Sequence, residues 1–166
     1  MKKIILSIII STLFAAAIFS QEITNYSKDQ IDQKLLSSII SNDYEINAYE
    51  DGDLKVSYDG INILLTHDTE RAFLKFRTYW LASDDITPNK AFRIVNSWNV
   101  DKIFAVAAYE AYSDRHIFSL EYFITTIGGI NEQNLNETFD WIFSIANGFA
   151  SYLSDNDALT IVSPSN

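Results

Sequence analysis

The chain has no cysteine and little histidine, proline or glycine. Its 166 residues include two His, two Pro and five Gly. Without cysteine the fold has neither disulfides nor thiolate metal ligands, and no lipid can be attached to a cysteine. Stability must therefore come from buried apolar side chains. The composition provides them, because 48% of the residues are hydrophobic and 14% are aromatic.

The scarcity of histidine restricts the chemistry that the sequence supports. A zinc site would need both His67 and His116 together with carboxylates, and a catalytic triad has few ways to form. The sequence contains neither a G-x-S-x-G motif nor a P-loop. Glu110 and Glu121, on adjacent predicted strands, would face each other as in a glycosidase, although a solvated rim of the sheet explains them more simply. We therefore predict no enzyme activity, no metal and no cofactor.

The charge is strongly of one sign. The formal net charge is −10 at pH 7, which should repel nucleic acid and anionic lipid head groups. Partners are therefore expected to be neutral or basic proteins or peptides, not nucleic acid. A role of the charge in solubility alone is an equally good explanation.

The first 20 residues have the layout of a secretory signal peptide. Lys2 and Lys3 precede an apolar run at residues 4–17, small residues follow, and the chain turns polar at Gln21. Cleavage after Ala17 or Ser20 would leave no stably inserted membrane segment. The sequence thus predicts an exported protein, periplasmic or secreted, with a retained N-terminal anchor as the alternative. Loss of the two lysines would change the formal charge from −10 to −12.

Hydrophobic periodicity predicts three helices and six strands after the signal. Helical spacing of apolar residues indicates helices, and alternation between turn signals indicates strands. Apolar residues on both faces of the strand at residues 103–112 favour a central position for it in the sheet. The predicted helices are residues 27–41, 88–99 and 131–153, and the predicted strands are residues 44–49, 54–58, 61–67, 72–80, 103–112 and 116–124.

The order of these elements predicts the fold class. The pattern α-β-β-β(-β)-α-β-β-α, with short turns between consecutive strands, favours an α+β fold built on an antiparallel sheet rather than a parallel doubly wound sheet. No repeat or linker divides the chain. We predict one domain over residues 21–154 and a polar C-terminal tail over residues 155–166.

Several segments resemble the YbjN domain family. They are VNSWN at residues 95–99, SLEY at 119–122 and GGINEQNL at 128–135, with YEI at 44–46 and EDGD at 50–53 in the N-terminal half. The resemblance implies a fold similar to type III secretion chaperones, often dimeric. Family members are described as regulators of sensory transduction or are uncharacterised, and no catalytic residues come with the resemblance. An export signal departs from the cytoplasmic role of such chaperones.

Four strand tyrosines are the candidate partner-binding residues: Tyr79, Tyr109, Tyr112 and Tyr122. Tyrosine offers a large contact area at low entropic cost, so an outer face carrying these rings would suit a peptide, a glycan or a partner subunit. Alternatively, the rings complete the core.

These observations together predict an exported, non-enzymatic module that binds a protein or peptide through a sheet face or edge, with a chaperone-like or regulatory role. Whether it forms a homodimer stays open. The alternative is a small-ligand-binding protein or a carboxylate-based hydrolase of the bacterial envelope.

Overall fold

The structure, a computed structural model, describes residues 24–49, 52–102 and 104–160, so the predicted signal at residues 1–20 lies outside the described residues. The fold is α+β, with antiparallel sheets and three α-helices. None of the helices in these ranges is long and apolar enough to cross a bilayer. The strands are β1 Asn25–Tyr26, β2 Glu45–Ala48, β3 Leu54–Tyr58, β4 Ile61–Asp68, β5 Phe73–Leu81, β6 Val106–Ala111, β7 His116–Thr125 and β8 Ile130–Asn131, and the α-helices are α1 Gln33–Ile39, α2 Pro88–Asp101 and α3 Glu132–Asp155.

The first predicted helix is wrong in its extent. Ser27 and Gln30 form a capping box, but it closes only a single 3-10 turn at Lys28–Gln30. The backbone is extended at Ile31, and the Asp32 carboxylate then accepts a hydrogen bond from the Leu35 N–H to start α1. A second capping residue five positions downstream therefore divides the segment in two.

The other two helices begin where their caps indicate. The Thr87 hydroxyl accepts from the Lys90 N–H, and Pro88 occupies the first turn of α2, where its missing N–H costs nothing. The Asn131 side chain accepts from the Asn134 N–H and starts α3. Both helices run two residues beyond their predicted ends.

The main sheet has six antiparallel strands in the order β2-β3-β4-β5-β7-β6, and β1 pairs with β8 separately. Strand β7 pairs with β5 on one side and β6 on the other, so β6 is an edge strand and its predicted central position is wrong. Both faces of β6 carry apolar residues, but only one of these faces is buried. Tyr109 is buried and packs against Phe92 of α2, whereas Val106 lies on the uncovered face.

One face of this sheet carries the whole hydrophobic core. Side chains from α1, α2 and α3 join alternate residues of β3–β7 in a single buried cluster. Long side chains at the centre of this cluster are fully enclosed: Leu54, Ile63, Leu65, Leu74, Phe76, Phe118, Leu135, Phe139 and Phe149. The helices thus form one layer and the sheet the other, and no described helix residue belongs to the opposite face of the sheet.

The C-terminal residues through Thr160 belong to the domain. Ala158 is fully buried, and its carbonyl accepts from the Ser83 N–H at 2.8 Å. Leu159 forms a bridge with Ala82. The predicted boundary at residue 154 is therefore too early, because packing after the last helix turn holds the chain against the end of β5.

A side chain from α2 occupies one position on the exposed edge of β6. The Asn99 amide donates to the Ala107 carbonyl at 2.9 Å, and the Ala107 N–H donates to the Asn99 carbonyl oxygen at 2.8 Å. Asn99 thereby takes the backbone groups that an added strand would use at this point.

Candidate functional site

The face of the sheet that points away from the helices is the candidate functional site, and we call it the open face. Strand alternation sends every second residue of β4–β7 to this side. Cross-strand register then places Arg77 opposite Glu121 and Tyr79 opposite Ser119. We restrict the name open face to the part of this surface that comprises Leu64, Thr66, Phe73, Lys75, Arg77, Tyr79, Leu81, Val106, Ala108, Glu110, Ile117, Ser119, Glu121 and Phe123.

Large apolar side chains are exposed across the open face. Tyr79 is 62% exposed, Val106 61%, Leu81 48% and Phe123 45%. A helix layer covers their counterparts on the other side of the same strands. Single exposed apolar residues are ordinary on a protein surface, whereas several on one sheet face are less common.

A charged cluster lies among these apolar residues. Arg77 Nη2 pairs with Glu110 Oε1, and Arg77 Nε lies 3.2 Å from Glu121 Oε1. The Ser119 hydroxyl donates to Glu110 Oε1 at 2.9 Å, and the Tyr112 hydroxyl donates to Glu110 Oε2 at 2.6 Å. The expectation that Glu110 and Glu121 face each other is wrong, because Glu110 pairs with Ile117 and Glu121 with Val106. Arg77 connects the two carboxylates instead.

The hydrogen bond from Tyr112 lowers the pKa of Glu110, and the bonds from Arg77 and Ser119 add to this effect. Glu110 is therefore a carboxylate at neutral pH. A general acid in a carboxylate pair needs the opposite shift, a pKa raised towards neutrality. The lowered pKa therefore makes Glu110 unsuited to the role of general acid.

Two of the four candidate tyrosines lie together beside this cluster. Tyr79 and Tyr112 line a shallow depression of about 270 Å³, with Leu81 and Ile117 and the two arginines Arg77 and Arg115. The Arg115 guanidinium lies 5.8 Å from the centre of the Tyr112 ring. The depression thus combines aromatic rings, apolar side chains and the Arg115 guanidinium, which forms no ion pair with another described residue.

The other two candidate tyrosines are not on the open face, so their predicted outer position is wrong. Tyr109 is only 7% exposed, and its hydroxyl contacts Nδ1 of His116. Tyr122 is half-buried on the helix side, against Phe76 and Trp141. Side chains alternate between the two sides of a strand, and Tyr109 and Tyr122 each point to the side that carries the buried residues of their strand. They therefore lie on the covered side.

The two histidines are far apart. His67 pairs in register with Leu74, near one end of β5. His116 directly precedes Ile117, which pairs with Leu81 at the other end of β5. Seven residues of extended strand separate these positions, which is about 23 Å. Within the described ranges no three His, Asp or Glu side chains are placed to hold a metal. Burial lowers the pKa of His67, so it is a neutral, partly buried ring.

A second concave surface lies on the helix side, and we call it the Trp141 groove. It runs between the end of β7 and the first half of α3, is closed at one end by the turn at Gly128 and Gly129, and has a volume of about 590 Å³. It is lined by Asn25, Tyr122, Ile124, Thr125, Gly128, Gly129, Ile130, Asn131, Asn134, Leu135, Glu137, Thr138 and Trp141.

Sequence reasoning missed Arg77, Arg115 and Trp141. Arg77 had a detectable signal, since it lies in an alternating strand between two outward-facing residues. Its partners Glu110 and Glu121 come from another hairpin, and only the β5–β7 pairing brings them near it. Trp141 lies beside the apolar stripe of α3, where the helical pattern alone does not separate a core residue from a surface residue.

Comparisons with known proteins bear on the fold. No protein-family model matches the chain, and no curated protein matches its sequence. The fold is similar to the crystal structure of YbjN, described as a proposed transcription regulator from E. coli. The TM-score is 0.52 and the identity 12%, over 69% of this chain and 86% of that chain. At this identity the likeness shows the fold alone, which is YbjN-like.

Proposed function

We propose that this chain is an exported, non-enzymatic module that binds a protein or peptide partner through the open face. The observation that carries the proposal is the group of exposed apolar side chains, Tyr79, Leu81 and Val106, around the charged cluster at Arg77. Protein interfaces are enriched in tyrosine and arginine, and large aromatic side chains supply much of their binding energy.

The face suits docking better than the edges of the sheet. At the β6 edge, Asn99 occupies the backbone groups of Ala107. At the other edge, β2 has four residues, Glu45–Ala48, which offer few hydrogen bonds to an added strand. Side-chain contacts on the open face are therefore the expected mode of recognition.

The balance of positive and negative charges on the open face favours association there, although the whole chain is strongly acidic. Lys75 and Arg77 are matched there by Glu110 and Glu121, while the whole chain has a net charge of −10. A surface with balanced charges meets less long-range repulsion from an acidic partner, including a second copy of the chain. Nucleic acid is not an expected partner, so a regulatory role would act through protein contacts.

Site-specific photo-crosslinking in producing cells tests the docking surface. With a photoreactive phenylalanine at position 79, we expect a discrete crosslinked product that disappears when Val106→Asp adds a charge to the same face. A product of twice the chain mass identifies a homodimer, and any other mass a different protein. The matched control places the probe at position 100, because Val100 is 81% exposed on α2 and away from the open face. The same products from positions 79 and 100 would refute the proposal.

The export component rests on the sequence of residues 1–20. Mass spectrometry of the protein from producing cells should find an N-terminus at Gln21 or Ile18, with the protein in the periplasmic or secreted fraction. An intact Met1 on protein that remains in the cytosol would contradict export. It would leave the docking proposal standing, since the open face lies wholly within residues 64–123.

A further inference from the structure

The Trp141 groove is a second concave surface, separate from the open face. Asn134, Glu137, Thr138 and Trp141 follow the spacing i, i+3, i+4, i+7 along α3, so they share one side of the helix. From Asn134 to Trp141 the helix rises about 10 Å, which is the length of roughly three residues of extended peptide. The volume of about 590 Å³ lies within the usual range of ligand pockets.

Aromatic rings form one end of the groove. Trp141 meets Tyr122 edge to face with ring centres 5.5 Å apart, and it meets Phe104 at 4.8 Å. Trp141 is nevertheless 37% exposed and Phe104 is 56% exposed. Neighbouring rings therefore hold the indole in place while part of it stays open to solvent. Among the aromatic side chains, tryptophan attracts a cation most strongly.

The charged side chains of the groove lining and of α3 are all acidic. Helix α3 has 24 residues, of which four are acidic and none is Lys or Arg. Glu137 is the one charged residue among the described groove residues, and Gln133 holds its carboxylate with a hydrogen bond of 2.8 Å. One helical turn separates Glu137 from Trp141, so a cation can contact both.

The helix dipole locates the cation within the groove. The N-terminus of α3 carries partial positive charge, and it lies at the end of the groove beside Asn131. A cation is therefore favoured at the Trp141 end. The amide and hydroxyl side chains of Asn134 and Thr138 are left to contact polar backbone groups of a ligand.

We propose that the Trp141 groove binds a short basic peptide segment, with a lysine or arginine side chain placed between the Trp141 ring and the Glu137 carboxylate. Charge complementarity selects this partner, since the lining and the whole of α3 lack any cation to compete with it. The binding is independent of the open face, because the groove lies on the helix side of the sheet.

Fluorescence anisotropy of a labelled peptide tests the proposal with the full chain. The probe is an N-acetylated, C-amidated Ala-Lys-Ala-Lys-Ala peptide, and the matched probe replaces each lysine with norleucine, which keeps the alkyl chain and removes the charge. We expect the lysine peptide to bind at least about tenfold more tightly, with an affinity that falls as salt is raised.

Three variants separate the groove from other surfaces. Trp141→Leu and Glu137→Gln should each weaken binding of the lysine peptide about tenfold, with unchanged circular dichroism spectra. Tyr79→Ala, on the open face, should bind as the unaltered chain does, so failure of the open-face proposal would leave this result untouched.

Three outcomes would overturn the inference. The first is that the norleucine peptide binds as tightly as the lysine peptide. The second is that Trp141→Leu binds the lysine peptide as the unaltered chain does. The third is that n-butylammonium competes as effectively per cation as the peptide. The last outcome would show a site for small cations and not for peptides.

Discussion

Replacing Phe139 with alanine is expected to lower the free energy of unfolding by about 3–5 kcal/mol. The Phe139 side chain lies in the first half of α3 and is fully buried. Its ring lies 5.1 Å from the ring of Phe76 on the sheet and 5.7 Å from that of Tyr44. Truncation removes the apolar contact area and leaves a cavity between the two layers, which the rigid strands cannot fill.

Equilibrium urea denaturation, followed by circular dichroism, measures this loss. Val100→Ala is the matched control, because Val100 is 81% exposed on α2 and truncation there should change stability by less than about 0.5 kcal/mol. A loss below about 1 kcal/mol for Phe139→Ala would contradict the two-layer packing, since it would place Phe139 at the surface.

Replacing Gly129 with alanine is expected to cost roughly 2–3 kcal/mol. Gly129 has φ of +83°, and a Cβ there would lie 2.3 Å from the carbonyl oxygen of Tyr26. The substitution thus adds backbone strain and a clash with the β1 backbone. Relief requires β1 to leave β8, which breaks the pairing of Tyr26 with Ile130 at the closed end of the Trp141 groove.

The adjacent glycine provides the control for this prediction. Gly128 has no positive φ, and an added Cβ would meet nothing within 4 Å, so Gly128→Ala should be within about 0.5 kcal/mol of the unaltered chain. Urea denaturation gives the global effect, and hydrogen exchange at the Tyr26 and Ile130 amides reports the local one. Equal stability and equal exchange in the two variants would show that the turn is looser than its geometry indicates.

Secondary structure was largely readable from local patterns. Helices α2 and α3 begin at or within one residue of their predicted starts, because capping by Thr87 and Asn131 depends on a few adjacent residues. The division at Asp32 was missed since the apolar spacing continued across it. The α+β class followed from the order of elements and is confirmed by the structure.

Strand order was not readable. The hairpin β6–β7 can join the sheet by either strand, and the sequence of β6, apolar on both faces, favoured the wrong one. The pairing of β5 with β7 depends on contacts between residues more than 35 positions apart, and local periodicity contains no information about them.

The candidate site was likewise predictable only in part from the sequence. Tyr79 and Tyr112 were identified as exposed residues from their strands, and the structure places both beside Arg77. Tyr109 and Tyr122 were assigned to the same surface, although alternation puts them on the covered side once the register is known. The Trp141 groove was not foreseen, since local periodicity does not show how β7 and α3 pack against each other, or that Asn25 lies beside them.

The amino-acid sequence alone determined that the chain is acidic, lacks disulfides, starts with a signal-like segment and contains amphipathic elements suited to an α+β fold. These properties are readable because composition, capping and periodicity act over short distances. Only the folded chain decides which strands are neighbours, which face stays uncovered, and which charges meet. Those outcomes depend on packing the helices against one side of the sheet, since burial of apolar area there leaves Tyr79, Arg77 and Glu110 together on the other side.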